Sequence, residues 1–336
     1  MMKMLMFDFR ESERDFFNKN DFQDFDITYI KEPLNEFTKL SEEQLAETDI
    51  ISVFINSNVT AEVIKKFKNL RVIATRSTGH NHIDTQYCIE NHITVFNVEQ
   101  YGKKSVAEYT LCLTLALVRN LFPAYFDIME QPIKHCLYEG RNLEHLTFGI
   151  VGAGAIGASV AKLFSYLSPK IIVHSYMKNP EISDFVEYVS LDELLERSDV
   201  ISLHIPFMPE VYHYLGENEF SKMKDGVYII NTARGELIDI IALYDALRSG
   251  KVRGAALDVL ECEYLAINSD EASDIRNASE KCKTNALVTQ KLLDMKNVII
   301  TPHIAYNTTE SIYYLLEKTF NNIRDFYKGI HQDRVC

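Results

Sequence analysis

The sequence has no run of basic residues. Lys and Arg number 35 against 48 Asp and Glu in 336 residues, a net charge of −13 with a pI near 5.3. A chain of that sign repels phosphate backbones and anionic lipid, so neither nucleic acid nor a membrane surface is an expected partner. A long apolar run is also missing. The longest, 111–118, falls short of the roughly 20 residues that a membrane-spanning helix needs. At the N-terminus, Lys3 and Asp8 interrupt the apolar residues too early for a signal peptide, so no secretory leader is expected. The six cysteines, at 88, 112, 136, 262, 282 and 336, include no CxxC pair. That dispersal argues against a zinc site and predicts reduced thiols in a cytoplasmic protein, not a disulfide framework. Internal repeats and low-complexity tracts are lacking too. With 46% hydrophobic and 25% charged residues, disorder is excluded for most of the chain, and the length suits about two domains.

What is present is an alternation. Short apolar runs rich in β-branched residues occur at 4–9, 27–30, 50–54, 72–74 and 93–96, with amphipathic stretches such as 41–47 and 61–67 between them. A second series lies at 148–151, 171–174, 200–203, 227–231, 255–259 and 298–301. Strands apolar on both faces and separated by helices are what a parallel sheet covered on both sides requires, so the fold class is α/β. A helix starting at Ser105 joins the two series, and Ser105 with Glu108 fits a capping box. Its residues Val106, Tyr109, Leu111, Cys112, Leu113, Leu115, Leu117 and Val118 are apolar nearly all round. Such a helix is buried, either inside one subunit or in a subunit contact. Residues 264–285 are polar and without periodicity, the pattern of a long surface excursion.

The segment Val151-Gly152-Ala153-Gly154-Ala155-Ile156-Gly157 has the spacing GxGxxG, follows the run 148–151 and opens a helical stretch. In that context the motif binds a dinucleotide. Gly152 serves the tight turn, Gly154 the approach of a pyrophosphate, and Gly157 the packing of helix on strand. The phosphates then meet free N–H groups and the helix dipole. A ligand-free tight turn and a methyltransferase-type loop share the pattern, and the other strand ends decide among them. About 20 residues beyond such a loop an NAD site usually carries a carboxylate for the ribose. Here the position is Ser175, with Lys178 close by. The choice between NAD(H) and NADP(H) is therefore open, and use of both is expected.

Ligands of open α/β sheets bind beyond the carboxyl ends of the strands. Those ends hold His204-Ile205-Pro206, Asn231-Thr232-Ala233-Arg234-Gly235, the segment 258–263, and Thr301-Pro302-His303. Arg234, Glu263 and His303 make a coherent chemical set. A guanidinium holds a carboxylate through two parallel hydrogen bonds and polarises an adjacent carbonyl. An imidazole gives or takes a proton near neutral pH, and a neighbouring carboxylate orients it and favours its protonated form. Each residue alone has a blander reading, as a turn cap, a loop charge or a hydrogen-bonded histidine. Their common position after strands of one glycine-loop domain favours the chemical reading. His80, His82, His92, His135, His145, His213 and His331 lack such company and read as structural or surface. A metal between His204 and His303 would want a third ligand, so none is expected.

These residues belong to a wider pattern. Arg76-Ser77-Thr78-Gly79-His80-Asn81-His82-Ile83-Asp84, Ser105-Val106-Ala107-Glu108, the glycine loop, Asp199-Val200-Ile201-Ser202-Leu203-His204-Ile205-Pro206, Met223-Lys224-Asp225-Gly226, Asn231 to Gly235, Gly254-Ala255-Ala256-Leu257-Asp258-Val259 and Thr301-Pro302-His303 follow one another in order. In them the chain resembles the D-2-hydroxyacid dehydrogenase family over nearly its whole length. Thr75 to Asp84 and the ending Thr301-Pro302-His303-Ile304-Ala305-Tyr306 look most like D-lactate dehydrogenases, including the glycopeptide-resistance type. The resemblance implies two doubly wound parallel-sheet domains: a Rossmann cofactor domain at 101–300, inserted in a flavodoxin-like substrate domain made of 1–100 and 301–336. It also implies a homodimer built through the cofactor domain. It makes Arg234 the substrate-binding arginine, His303 the catalytic histidine and Glu263 its partner. The cofactor residues it implies are Gly152, Gly154, Ala155, Ile156, Gly157, Ser175, Ile205, Pro206, Thr232, Ala233, Arg234, Asp258 and His303, with Asp258 near the nicotinamide amide. On the substrate side it implies Phe54, Thr78, Gly79, Tyr101, Arg234, His303 and Tyr306. Ser175 departs from the family's common Asp, and Cys262 stands inside the Glu263 loop.

The function so implied is reduction of small, pyruvate-like 2-oxo acids to D-2-hydroxy acids with a nicotinamide cofactor, as in a D-lactate dehydrogenase. A hydroxypyruvate/glyoxylate- or phosphoglycerate-type dehydrogenase is the alternative within that class. Tyr306 stands where those relatives tend to carry a Gly-rich stretch. Outside the class, a nucleotide-sensing protein without activity on the same fold is the alternative.

Overall fold

Residues that are apolar on both faces become buried parallel strands in both halves of the chain. The computed structural model describes residues 1–99, 101–130, 138–168, 170–263, 265, 278–330 and 334–336. The expectations for His135, Cys136 and His331 lie outside the described residues. Two compact units emerge, one of Met1–Tyr101 with Asn307–Cys336 and one of Gly102–Tyr306.

In the first unit, β1 (Met2–Met6), β2 (Phe25–Tyr29), β3 (Ile50–Val53), β4 (Val72–Thr75) and β5 (Thr94–Phe96) form one sheet in the order β2-β1-β3-β4-β5. Every pairing is parallel. Helices α1 (Arg14–Lys19), α2 (Glu42–Glu47), α3 (Ala61–Ile64) and α4 (Thr85–Glu90) alternate with the strands. Leu5, Ile51, Val53, Ile73 and Val95 fill the core on one face, while Met4, Ile50, Val72, Ala74 and Phe96 fill that on the other. Each of these side chains but Ala74 contributes roughly 1.5–3 kcal/mol on burial. A charge is buried among them. Arg76 donates to Ser52 Oγ (2.9 Å) and to the carbonyls of Phe7 (2.8 Å) and Asp8 (3.2 Å), and lies 3.9 Å from Glu13. It thereby ties the carboxyl ends of β1, β3 and β4 together, with the partners that a desolvated guanidinium requires.

The second unit opens with α5 (Lys103–Val118) and α6 (Leu121–Glu130). Beyond them come β6 (Phe148–Val151), α7 (Ala155–Ser165), β7 (Ile171–His174), β8 (Glu187–Tyr188), α8 (Leu191–Arg197), β9 (Val200–Leu203), α9 (Glu217–Lys222), β10 (Val227–Asn231), α10 (Ile240–Ser249), β11 (Val252–Leu257), α11 (Glu280–Leu293) and β12 (Val298–Ile300). The sheet order is β12-β11-β10-β9-β6-β7-β8, again with every pairing parallel. The first strand, β6, lies between β9 and β7, so the order reverses at the strand that carries the glycine loop. That is where doubly wound sheets bind ligands. The last helix, α12 (Thr309–Tyr327), returns to the first unit and buries Phe320 and Ile323 there.

Three expectations need correction. Helix α5 starts at Lys103, not Ser105, because Gly102 adopts a left-handed conformation (φ 69°) and turns the chain into the helix earlier. Ser105 stands within the first turn, so the Ser105–Glu108 capping box does not form the helix start. The polar stretch 264–285 is not a surface excursion throughout. At its end Ser279 caps α11, its Oγ accepting from the Cys282 N–H (3.2 Å), and Asn285 is buried. Of that stretch, 264 and 266–277 lie outside the described residues. Lastly, reduced thiols do not hold for Cys262 and Cys282. The chain returns between them, brings their Cα atoms to 5.5 Å, and they form a disulfide. The apolar helix α5 buries Val106, Ala107, Thr110, Leu113, Ala116, Leu117 and Val118, packing on α7, β10 and β11 inside the unit. Among the described residues no single helix is long and apolar enough to cross a membrane; only α5 and α6 together, bent by 59°, approach that length.

Candidate active site

Strand order places β12, β11 and β10 side by side, with Ile300, Leu257 and Asn231 in register at their carboxyl ends. The segments that leave these strands are therefore brought together: Thr301 to His303, Asp258 to Glu263, and Thr232 to Arg234. Asp258 is fully buried. Its Oδ1 accepts from Thr301 Oγ1 (2.6 Å) and the Ile304 N–H (3.0 Å), and its Oδ2 from the Ala305 N–H (2.9 Å). Burial pushes its carboxyl group up, against the pull of these bonds and of His303. Between those anchor points His303 adopts φ 54°, and its N–H is shared by the carbonyls of Asp258 (2.9 Å) and Thr301 (3.0 Å). A left-handed conformation costs a non-glycine residue about 1–3 kcal/mol, and here the surrounding bonds impose it. The ring Nδ1 of His303 then lies 3.2 Å from Glu263 Oε2, both side chains about 30% exposed, with Tyr306 edge-on at 6.4 Å.

Asn231 shapes the third loop. Its Nδ2 donates to the Arg234 carbonyl (2.8 Å), and its Oδ1 accepts from the Ala233 N–H (3.0 Å). Thr232 Oγ1 lies 3.1 Å from Thr110 Oγ1 on α5. Arg234 is exposed, donates to the Ala233 carbonyl (2.6 Å), and forms no ion pair among the described residues. The next residue must be glycine. A Cβ at Gly235 would stand 2.0 Å from the Leu260 carbonyl carbon and 2.2 Å from the Glu261 nitrogen. The Arg234 loop is thus pressed against the loop that carries Glu263.

At the reversal point Gly152 has φ 101°, and a Cβ at Gly157 would meet the Gly152 carbonyl at 1.9 Å. A Cβ at Gly154 would meet nothing within 4 Å, and no side chain caps α7, which begins at Ala155 and Ile156. Open space over uncapped helix N–H groups fits a pyrophosphate. Ser175, at the end of β7, accepts from the Ala153 N–H through Oγ (3.1 Å), and Asn179 donates to the Ala153 carbonyl (2.9 Å). Both side chains brace the glycine loop. Ile205 and Pro206 come after β9, and Ile205 Cγ2 would lie 2.8 Å from a Cβ on Gly152. His204 is buried, with Nε2 2.8 Å from Ser202 Oγ, and burial pushes its ring down to about 3. Among the described residues no group of His, Cys, Asp and Glu is arranged to hold a metal.

The other candidates belong to the first unit, at the carboxyl ends of β3 and β4. Phe54 is buried, its N–H donating to Asp8 Oδ2 (3.1 Å), with the Arg10 guanidinium 5.1 Å from its ring. Thr78 Oγ1 donates to the Val98 carbonyl (2.9 Å) and Ser77 Oγ to the Gly79 carbonyl (2.6 Å). Thr75 Oγ1 meets His82 Nε2 at 3.0 Å, and burial pushes His82 down to about 4. Tyr101 ends the first segment of that unit, whereas Tyr306 and His303 lie in the second unit.

The family model described as "D-isomer specific 2-hydroxyacid dehydrogenase, NAD binding domain" matches residues 111–305. The chain belongs to this family. An aromatic 2-oxoacid reductase of Clostridium sporogenes is 36% identical over 86% of each chain. A D-specific alpha-keto acid dehydrogenase of Enterococcus faecium is 37% identical over 82% of each. The crystal structure of a D-lactate dehydrogenase from Aquifex aeolicus, complexed with NAD and lactic acid, matches with a TM-score of 0.81 at 34% identity, covering 97% of this chain and 96% of that one. The protein is thus an NAD-dependent D-2-hydroxyacid dehydrogenase, and its two parallel α/β units have the family's Rossmann-inserted fold.

In this dehydrogenase one polar cluster is invisible in the sequence. Glu261, buried, accepts from Tyr212 OH (3.1 Å), His213 Nε2 (3.1 Å) and Asn285 Nδ2 (2.9 Å) and pairs with Lys281 Nζ (2.5 Å). Burial pushes its carboxyl group up, but Lys281, His213 and Tyr212 outweigh that and hold it below its usual range. His213, read from the sequence as structural or surface, also lies 3.6 Å from Asp239. No spacing rule links 213, 261, 281 and 285; only the fold assembles them.

Removing the Asp258 carboxylate tests the architecture directly. Asp258→Ala strands one hydroxyl and two N–H donors, and at about 1–3 kcal/mol per unmet group the loss is roughly 3–9 kcal/mol. Asp258→Asn, which retains one oxygen acceptor, should lose less. Urea unfolding measures both, and an unchanged midpoint for Asp258→Ala would show that the His303 turn holds itself.

Proposed function

We propose that this dehydrogenase reduces small 2-oxo acids, pyruvate foremost, to D-2-hydroxy acids, acting as a D-lactate dehydrogenase. The observation that carries the reading is the His303 Nδ1–Glu263 Oε2 contact of 3.2 Å, beside the loop of the exposed Arg234. The bound nicotinamide supplies or accepts the hydride. Arg234 holds the substrate carboxylate with its guanidinium fork and polarises the carbonyl oxygen. His303 donates the proton from Nε2 to that oxygen, while Glu263 at Nδ1 aligns the ring. In the oxidative direction the same nitrogen receives the proton. Phe54, Thr78, Gly79, Tyr101 and Tyr306 complete the substrate contacts. Gly152, Gly154, Ala155, Ile156, Gly157, Ser175, Ile205, Pro206, Thr232, Ala233 and Asp258 serve the cofactor. A cytoplasmic location belongs to the same reading and is tested by fractionation.

Reduction needs a proton donor at His303 Nε2, and Glu263 holds the ring that carries it. Glu263→Gln leaves the ring with a weaker partner at Nδ1, and kcat for pyruvate should fall at least about tenfold while the KM for NADH changes little. Arg234→Lys keeps charge but loses the fork, and kcat/KM for pyruvate should fall at least about tenfold, roughly 1.4 kcal/mol. A panel of 2-oxo acids ranked by kcat/KM tests the substrate itself. An unchanged kcat in Glu263→Gln, together with an active His303→Gln, would remove the pair from the mechanism.

Ser175 offers no carboxylate to repel a 2′-phosphate, which supports use of NADP(H) beside NAD(H). Ser175→Asp should shift the ratio of kcat/KM values towards NADH at least about tenfold. A ratio that stays put would show that Ser175 acts on the glycine loop alone.

A homodimer through the second unit is supported by α6, where Leu121, Tyr125, Phe126, Ile128 and Met129 are all more than half exposed. That apolar surface is costly in water. Sedimentation velocity at micromolar concentration should give a dimer, and a lone monomer boundary would overturn this.

A further inference from the structure

The loop carrying Glu263 is fastened to one end of α11 in two ways. One is electrostatic: Glu261, two residues before Glu263, binds Lys281 and Asn285 on that helix, with Tyr212 and His213 on its other side. Tyr212 stacks on His213 (3.9 Å between ring centroids), and Lys281 Nζ lies 4.2 Å from the Tyr212 ring. The other is covalent: Cys262, directly before Glu263, is bonded to Cys282, directly after Lys281. Cys262 itself has φ 56°, a conformation that its surroundings must hold. Both cysteines are half-buried, so a thiol can reach them.

We propose that Cys262 and Cys282 are positioning residues for Glu263, and that thiol–disulfide exchange with a dithiol switches them. The proposal rests on the reading of Glu263 and His303 as the proton-transfer pair. With the bond closed, Glu263 is held against His303 Nδ1; with it open, the Glu261 contacts and the packing on Gly235 still hold the start of the loop, and Glu263, beyond them, samples positions away from the ring. In the exchange, a thiolate of the dithiol attacks Cys262 Sγ, and the Cys262–Cys282 bond breaks with its electron pair leaving on Cys282, which then takes a proton. The second thiol of the dithiol loses its proton and attacks the mixed disulfide, releasing Cys262 as a thiol. Two electrons and two protons have passed to the enzyme, and the dithiol has become a disulfide. Cys282 is the better leaving group, because it lies in the first turn of α11, where a thiolate is stabilised by the helix N-terminus. An oxidised dithiol reverses the exchange. In a reducing compartment, a half-exposed disulfide is most often of this labile kind.

Among the described residues, the charged groups that face His303 are Glu263 at its ring and Asp258 beneath its turn. Asp258 is held by residues outside the Cys262 loop, so only the Glu263 contribution should respond to the switch. The test uses the full chain with NADH and pyruvate, either oxidised with a small disulfide or reduced with dithiothreitol. Alkylation and mass spectrometry verify the state of residues 262 and 282. Reduction should lower kcat at least threefold, leaving the KM for NADH within twofold; reoxidation should restore kcat. The double variant Cys262→Ser, Cys282→Ser should behave as the reduced enzyme and ignore dithiothreitol. Equal kcat for oxidised and reduced protein overturns the proposal, as does absence of the bond in the oxidised protein. If Glu263→Gln lowers kcat while reduction does not, the switch alone fails; if Glu263→Gln leaves kcat unchanged, the proton-transfer pair falls with it.

Discussion

The second unit depends on one buried carboxylate accepting three hydrogen bonds. Asp258 closes β11 and holds the chain that leaves β12, through Thr301, Ile304 and Ala305. A carboxylate taken out of water loses a large hydration energy, and only donors fixed in place can offset it. The exit of β12 is therefore bound to the exit of β11 far more tightly than two neighbouring strand pairings alone would require. His303 sits inside this turn with a left-handed backbone that it would not choose by itself. Its ring direction follows from Asp258, and so does its meeting with Glu263.

The third loop joins the same block by contact, not by charge. Gly235 touches the backbone between Leu260 and Glu261 so closely that no side chain fits. The peptide after Arg234 and the peptide between Leu260 and Glu261 are packed as surfaces. Arg234, Glu263 and His303 hence lie on three loops that cannot move independently: one pair is locked by hydrogen bonds to Asp258, another by steric contact at Gly235. Preorganisation of this kind lets a guanidinium and an imidazole keep their spacing without a bond between them.

The sequence is most legible where burial is two-sided. The strands at 148–151, 171–174, 200–203 and 227–231 occur at the expected residues, since a central parallel strand must be apolar on both faces and little else in a chain looks like that. β8 is not legible, because two partly exposed residues, Glu187 and Tyr188, carry no such pattern. The start of helix α5 misleads because a serine followed three residues later by glutamate imitates a cap, while the real start uses the backbone freedom of Gly102. The residues of the candidate site stand out because Arg, Glu and His come directly after strands. The Glu261 cluster and the Cys262–Cys282 bond do not, because both need the chain beyond 263 to return to α11. Nothing in a spacing of 20 residues announces that return.

Glu261 and Glu263 together show what separates a charge that builds the fold from one that serves the reaction. They stand two residues apart, with the bonded Cys262 between them. Glu261 is buried and has Tyr212, His213, Lys281 and Asn285 around its oxygens. Asp258 and Arg76 are likewise buried and surrounded by donors or acceptors of the chain. A charge so fully engaged has little left to offer a substrate. Glu263 is partly exposed, and its partner is a histidine that can take up or release a proton; Arg234 is exposed and faces no carboxylate among the described residues. Desolvation is tolerable where every lone pair is met, and reactivity persists where some are not. The chain alternates between the two cases within three residues, pairing the inward glutamate with the helix and the outward one with the imidazole.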